Sequence, residues 1–161
     1  MTTTTRTKKQ QQLPIIKVKR LRPNVIYPDK QTAGAACYDL ICHETVHIHP
    51  HQGDDRCYKI PTGLAFEIPS GYHLKVFLRS SIGLKTKLRL ANGTGIIDSD
   101  YRGEVCLLLE NIGKHVITIK EGDRICQCLL EKNVPCMWQA VDELSETDRG
   151  TGGFGSTGKG M

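Results

Sequence analysis

Three clusters of side chains in this sequence have the chemistry of phosphate handling. Arg79-Ser80-Ser81 closes an alternating apolar segment, so a guanidinium and two hydroxyls converge where a strand meets a helix N-terminus. Asp98-Ser99-Asp100-Tyr101-Arg102 spaces two carboxylates for one strand face beside an aromatic ring. Arg149, Phe154, Ser156 and Thr157 punctuate residues 148–161, where six of 14 residues are glycine. Arginines and hydroxyls suit a polyphosphate, an aromatic ring can stack on a base, and a carboxylate suits Mg2+ or a water nucleophile. Each cluster alone is a weak signal, because Asp-x-Asp is usually a solvated turn.

Two familiar phosphate motifs fail on context. Gly150-Thr151-Gly152-Gly153-Phe154-Gly155 fits G-x-G-x-x-G, but that fingerprint needs a preceding strand, a following helix and a later acidic residue. Gly153 to Lys159 fits most of a P-loop, yet Gly160 stands where a Mg2+-binding Ser or Thr is required. Their shared physics survives: a flexible backbone whose N–H groups can line a polyphosphate and order on it.

The elements that must position these groups are strands. A length of 161 residues suggests one domain, large enough to fold without disulfides or a structural metal. Hydrophobic residues at 39% and charged residues at 24% are a soluble globular composition. No window approaches the roughly 18 apolar residues of a membrane span, and no charged-then-apolar start resembles a signal peptide. A membrane protein, a fibre and a secreted disulfide knot are excluded, and an intracellular location, cytoplasmic or nuclear, is expected. Alternating segments recur at Ile15–Arg20, Cys57–Ile60, Leu64–Ile68, Leu74–Leu78, Glu104–Glu110, Val116–Ile119, Ile125–Glu131 and Cys136–Val141. Turns are expected at 69–71, 111–113 and 121–123. The pattern predicts an all-β sandwich or barrel, with Val105–Leu109 buried on both faces. The one short helix is expected over Ser80–Lys87, capped by Ser80 or Ser81.

Charge and cysteine add limits. The net charge of +5 conceals an asymmetry. Residues 1–28 hold seven basic side chains (Arg6, Lys8, Lys9, Lys17, Lys19, Arg20, Arg22) and no acid, leaving 15 basic against 17 acidic in the rest. Such an arm could touch nucleic acid through phosphates, although residues 1–12 read better as a solvated tail of Thr, Gln and Lys. Seven cysteines without a C-x-x-C pair read as reduced thiols, with Cys126 and Cys128 as small apolar fillers. His47, His49 and His51 alternate, which fits a solvated edge strand better than a metal site.

Taken together and in order, the motifs resemble the trimeric dUTPase family over about residues 15–158. The first is Ala36-Cys37-Tyr38-Asp39-Leu40, the second Arg79-Ser80-Ser81, and the third Gly95-Ile96-Ile97-Asp98-Ser99-Asp100-Tyr101-Arg102-Gly103. The fourth is similar to Gly122-Asp123-Arg124-Ile125-Cys126-Gln127, and the fifth runs from Arg149 to Gly158. The resemblance implies a distorted jelly-roll β-barrel of the dUTPase-like, β-clip kind, assembled as a homotrimer. Residues 1–14 would be a basic arm and 15–147 the barrel, and 148–161 a C-terminal arm that closes a neighbouring subunit's site.

The implied activity is that of a dUTP diphosphatase, hydrolysing dUTP to dUMP and pyrophosphate with Mg2+. It keeps uracil out of DNA and supplies dUMP for dTMP synthesis. By resemblance, Asp98 is the base that primes water for attack on the α-phosphorus, and Tyr101 packs on the deoxyribose where a 2′-hydroxyl would sit. A hairpin carrying Asn92, Gly95, Ile96 and Ile97 would read uracil through its backbone. Arg79, Ser80, Ser81 and Gln127 would hold the α- and β-phosphates. Arg149 would clamp the γ-phosphate and Phe154 stack on uracil, with Gly155, Ser156 and Thr157 closing over the ligand. Mg2+ would ride mainly on the triphosphate, with Asp39 helping through water, or Asp39 would cap a turn or pair across subunits. Asp100 is expected to pair with Arg102 or Arg124. Cys37 stands where the family more often has glycine, which requires an ordinary φ there. Two other functions compete: dCTP deamination, for which Glu104 is discounted because it lies beyond the Tyr101-Arg102-Gly103 turn, and a nucleotide-dependent switch.

Overall fold

The computed structural model describes residues 13–51 and 57–153. The strands are β1 (Lys17–Arg20), β2 (Tyr38–Ile41), β3 (Val46–Ile48), β4 (Tyr58–Pro61), β5 (Leu64–Glu67) and β6 (Tyr72–Leu78). One helix, α1 (Ser80–Lys85), precedes β7 (Leu88–Leu90), β8 (Gly95–Ile97), β9 (Cys106–Asn111), β10 (Ile117–Ile119) and β11 (Arg124–Lys132). All the pairings are antiparallel, in sheets ordered β2-β11-β6-β8, β4-β9-β7, β1-β5 and β10-β3. The expected all-β architecture with one short helix is therefore present. No helix among the described residues is long and apolar enough to cross a membrane.

The sheets close on a core that includes Leu40, Ile60, Leu64, Leu88, Leu107, Leu109 and Ile125. Burying each such side chain contributes roughly 1.5–3 kcal/mol. Strand β9 alternates between buried and half-buried residues, so it is not buried on both faces as its apolar run suggested. Its outer face borders a cavity, and apolar lining there hides the alternation from a sequence pattern. Buried Asn111 ends β9: its Nδ2 donates to the carbonyls of Ile48 (2.9 Å) and His115 (2.8 Å), and its Oδ1 accepts from Gly113 N (2.9 Å). One amide thus fixes a turn and sews it to β3, satisfying groups that would be costly if unpaired. Cys126 and Cys128 are buried on β11, and that burial pushes both thiols up to about 12, which keeps them inert fillers.

Several expectations are corrected. Helix α1 is capped by Arg79 without a side-chain cap bond, and it stops at Lys85 because Thr86 returns to extended backbone. His47 lies on β3 and bonds Thr118 Oγ1 at 3.0 Å, but β3 pairs with β10 and β4 with β9. Strands β3 and β4 therefore belong to different sheets. Residues Cys136–Val141 form no strand. Beyond β11, Val134, Met137, Trp138 and Leu144 are 87–97% exposed. A strand needs an edge to pair with, and among the described residues this segment finds none. Beyond the expected tail, basic residues of the N-terminal region are engaged, as their place in the barrel requires: Lys17 pairs with Glu67 (2.7 Å), Arg22 with Glu104 (2.9 Å), and Arg20 lies 4.0 Å from the centroid of the Tyr27 ring. Arg6, Lys8 and Lys9 lie outside the described residues.

Candidate active site

The catalytic candidates sit where the chain changes sheets. Strand β7 pairs with β9, whereas β8 pairs with β6, so residues 91–94 form a corner between two sheets, not the expected hairpin. Ala91 N donates to Leu108 O (2.9 Å) and Gly93 N to Leu90 O (2.9 Å), which pins the corner. Gly93 has φ +67°, a region that glycine enters without steric cost. A Cβ at Gly95 would lie 3.2 Å from Val76 Cβ, so a side chain there would push β8 and β6 apart by a few tenths of an ångström.

The corner leaves a cavity of about 270 Å³ whose walls include Asn92, Gly95, Ile96, Ile97, Asp98 and Tyr101. Asp98 follows the last residue of β8 and is exposed. It and Asp100 lie in the ensuing turn, so they do not share a strand face as their spacing suggested. Among the described residues the Asp98 carboxylate accepts no hydrogen bond and forms no ion pair. Asp100 likewise has no ionic partner among them, because Arg102 bonds the Ser99 (2.7 Å) and Tyr101 (3.1 Å) carbonyls and Arg124 turns to Asp39. Tyr101 Oη donates to Glu104 O at 3.0 Å, and its ring passes over Gly103, where a Cβ would lie 2.4 Å from that oxygen. Glu104 also lines the cavity, but its carboxylate is held by Gly63 N (2.7 Å) and Arg22.

A second cluster forms at the junction of β2, β11 and the start of α1. Asp39 is buried, opposite Gln127 in register. Its Oδ1 is 3.3 Å from Arg79 Nε, and its Oδ2 is 3.4 Å from Arg124 Nη1. Asp39 thus pairs within its own chain, and the cluster carries a net charge of +1. Ser81 is half-buried and Ser80 exposed beside it. The Gln127 side-chain amide has no hydrogen-bond partner among the described residues. Cys37 is accommodated at an ordinary φ, since Asn24 alone among described non-glycine residues has a positive one.

The structure does not bring all the candidates together. None of Arg79, Ser80, Ser81, Gln127 or Asp39 borders the Asp98 cavity. Arg149 is exposed in a turn, donating to its neighbour Gly152 O at 2.8 Å. Phe154, Gly155, Ser156 and Thr157 lie outside the described residues. Sequence reasoning missed Arg124 and Gly103 as parts of the site, although both stand inside the quoted motifs.

A dUTPase family model matches residues 23–158. The chain belongs to the dUTPase family. It is 42% identical over 144 residues to the deoxyuridine 5'-triphosphate nucleotidohydrolase of Wolinella succinogenes, covering 89% of this chain and 94% of that one. It is also similar to the dUTPase of Staphylococcus bacteriophage 80alpha, solved with dUPNHPP, at 27% identity and a TM-score of 0.78 over 90% of this chain and 99% of that one. The dUTPase of S. aureus phage phi11, whose structure describes a structural Mg(II) ion, shares the fold at 24% identity and a TM-score of 0.71, over 80% of this chain and 97% of that one. The chain is therefore an enzyme, with the jelly-roll-like β fold of dUTPases. Its five dUTPase motifs fall within or beside the two clusters and the C-terminal segment.

Proposed function

We propose that the chain is a dUTP diphosphatase, hydrolysing dUTP to dUMP and pyrophosphate. The observation that carries this reading is an Asp98 carboxylate, unpaired among the described residues, on the wall of a cavity made by the backbone of β8 and the ring of Tyr101. Asp98 holds a water and takes its proton as the oxygen bonds the α-phosphorus. The bond from that phosphorus to the β-phosphate oxygen breaks, and pyrophosphate departs. The backbone of residues 92–97 reads the uracil edge and rejects cytosine, whose amino group would leave buried groups unpaired at roughly 1–3 kcal/mol each. Arg79, Ser80, Ser81 and Gln127 hold phosphate oxygens. Arg149, Phe154, Gly155, Ser156 and Thr157 arrive from a neighbouring copy. Removal of dUTP keeps uracil out of DNA, and the dUMP formed feeds dTMP synthesis.

Two features support assembly as a homotrimer with crossed arms (residues 148–161) on barrels of residues 15–147. The Asp98 cavity and the Arg79 cluster do not share a cavity within one chain, and the segment from Val134 to Leu144 turns large apolar side chains outward. Among the described residues no three His, Cys, Asp or Glu side chains converge to hold a metal. Asp39 Oδ2 is a buried oxygen that accepts no hydrogen bond. These residues fit Mg2+ delivered on the triphosphate, with Asp39 reached through water, better than a bare cation between two arginines. Bound there, Mg2+ would offset charge on the phosphates.

The test is to incubate the protein with dUTP, dTTP, dCTP or UTP and Mg2+ and to quantify pyrophosphate. Pyrophosphate from dUTP, far above the other three, is expected; ammonia from dCTP would instead mark a deaminase. The engagement of Glu104 by Gly63 and Arg22 supports the diphosphatase. The sugar preference has its own check. Ala at Gly103 must displace the Tyr101 ring, so Gly103→Ala is expected to narrow the dUTP-over-UTP ratio of kcat/KM by roughly tenfold, about 1.4 kcal/mol. An unchanged ratio would remove Tyr101 as the sugar gate.

A further inference from the structure

We infer that Arg124 is a positioning residue, which sets the guanidinium of Arg79 through Asp39 and through its own carbonyl. The inference rests on the reading of Arg79 as a phosphate ligand. It begins with an irregularity in the β11–β2 ladder, where the register shifts between Arg124 and Cys126. Such bulges bend a strand and re-aim its side chains, often beside active sites. Arg124 places Nη1 3.4 Å from Asp39 Oδ2 and also donates to Gln31 Oε1. Its carbonyl accepts from Arg79 Nη1 at 3.0 Å, while Arg79 N donates to Ile125 O at 2.9 Å. Arg79 is therefore held at its backbone and at Nη1, and its Nε faces Asp39 Oδ1 at 3.3 Å.

The charge arrangement explains why two arginines are present. A carboxylate with only 8% of its side chain exposed, facing one arginine, would neutralise it and draw it inward. Shared between two, it orients Arg79 and leaves the cluster one positive charge for a ligand anion. Arg124, the more exposed of the pair at 40% against 24%, anchors Asp39 from the far side. Without it, Asp39 Oδ2 would lose the cation that faces it among the described residues, and Arg79 would collapse onto the carboxylate. Arg124 need not touch the nucleotide for this.

A double-mutant cycle tests the inference, read as kcat and KM for dUTP with thermal midpoints as a fold control. Arg124→Gln is expected to raise KM about tenfold with kcat changed less than about threefold, and Arg124→Lys to fall between the two. On an Arg79→Ala background, Arg124→Gln is expected to add less than about twofold, because its effect runs through Arg79. A folded Arg124→Gln enzyme with unchanged KM would overturn the inference, as would a full tenfold increase on the Arg79→Ala background. If Arg124→Gln does not fold, the same cycle with Arg124→Lys decides by the same criterion. An Arg79→Ala enzyme with normal KM would refute instead the phosphate role of Arg79.

Discussion

Asp98→Asn is expected to bind dUTP almost normally and to lose turnover by on the order of 10²–10⁴, the range that a positioned general base supplies. The amide has the size of the carboxylate but cannot take a proton from water. The substitution should leave the site in shape, because the turn is held by the main chain, from Tyr101 N to Asp98 O at 3.2 Å. The side chain is exposed and makes no contact within the described residues that the exchange would break. Pyrophosphate release under saturating dUTP, with calorimetric titration of a non-hydrolysable analogue, separates chemistry from binding. A kcat within tenfold of the parent would mean that another group primes the water.

A chain ending at Thr147 is expected to lose at least about a thousandfold in kcat/KM while keeping its mass in solution and its thermal midpoint. Arg149 would supply a charge-assisted contact, Phe154 a stacked ring and the hydroxyls two hydrogen bonds. Contacts of these kinds contribute roughly 1.5–3, 1–3 and 0.5–1.5 kcal/mol each, which need not add fully. The apolar side chains from Val134 to Leu144 lie before the cut, so the surface that supports assembly is left in place. Light scattering with steady-state kinetics tests both halves of the statement. Normal activity in the shortened chain would reject the arm's role, and a mass near one chain would reject the trimer.

The strands that carry the core were legible because segments such as Leu74–Leu78 alternate and turn residues such as Gly71 and Gly122 set them off. The class of the fold followed from their number and spacing. The corner at residues 91–94 was not legible, since its flanking strands pair with partners far away in sequence and local pattern cannot choose between sheets. The same limit hid Arg124: its meaning depends on a bulge that brings it to Asp39, and register is a tertiary property. The expected strand at Cys136–Val141 shows the converse. Its apolar residues suggested a strand, but among the described residues it finds no edge to pair against and forms no ladder. Gly103 failed to signal because its purpose is the space it leaves for a ring two residues earlier.

In the proposed trimer, the outward-facing stretch around Met137 and Trp138 ties the enzyme to its own abundance. On that proposal the side chains find cover only when copies meet, so dilution is expected to lower the melting temperature even though each barrel is unchanged. A solitary polypeptide would then be doubly disadvantaged, offering greasy bait to proteases while its pocket stands without a door.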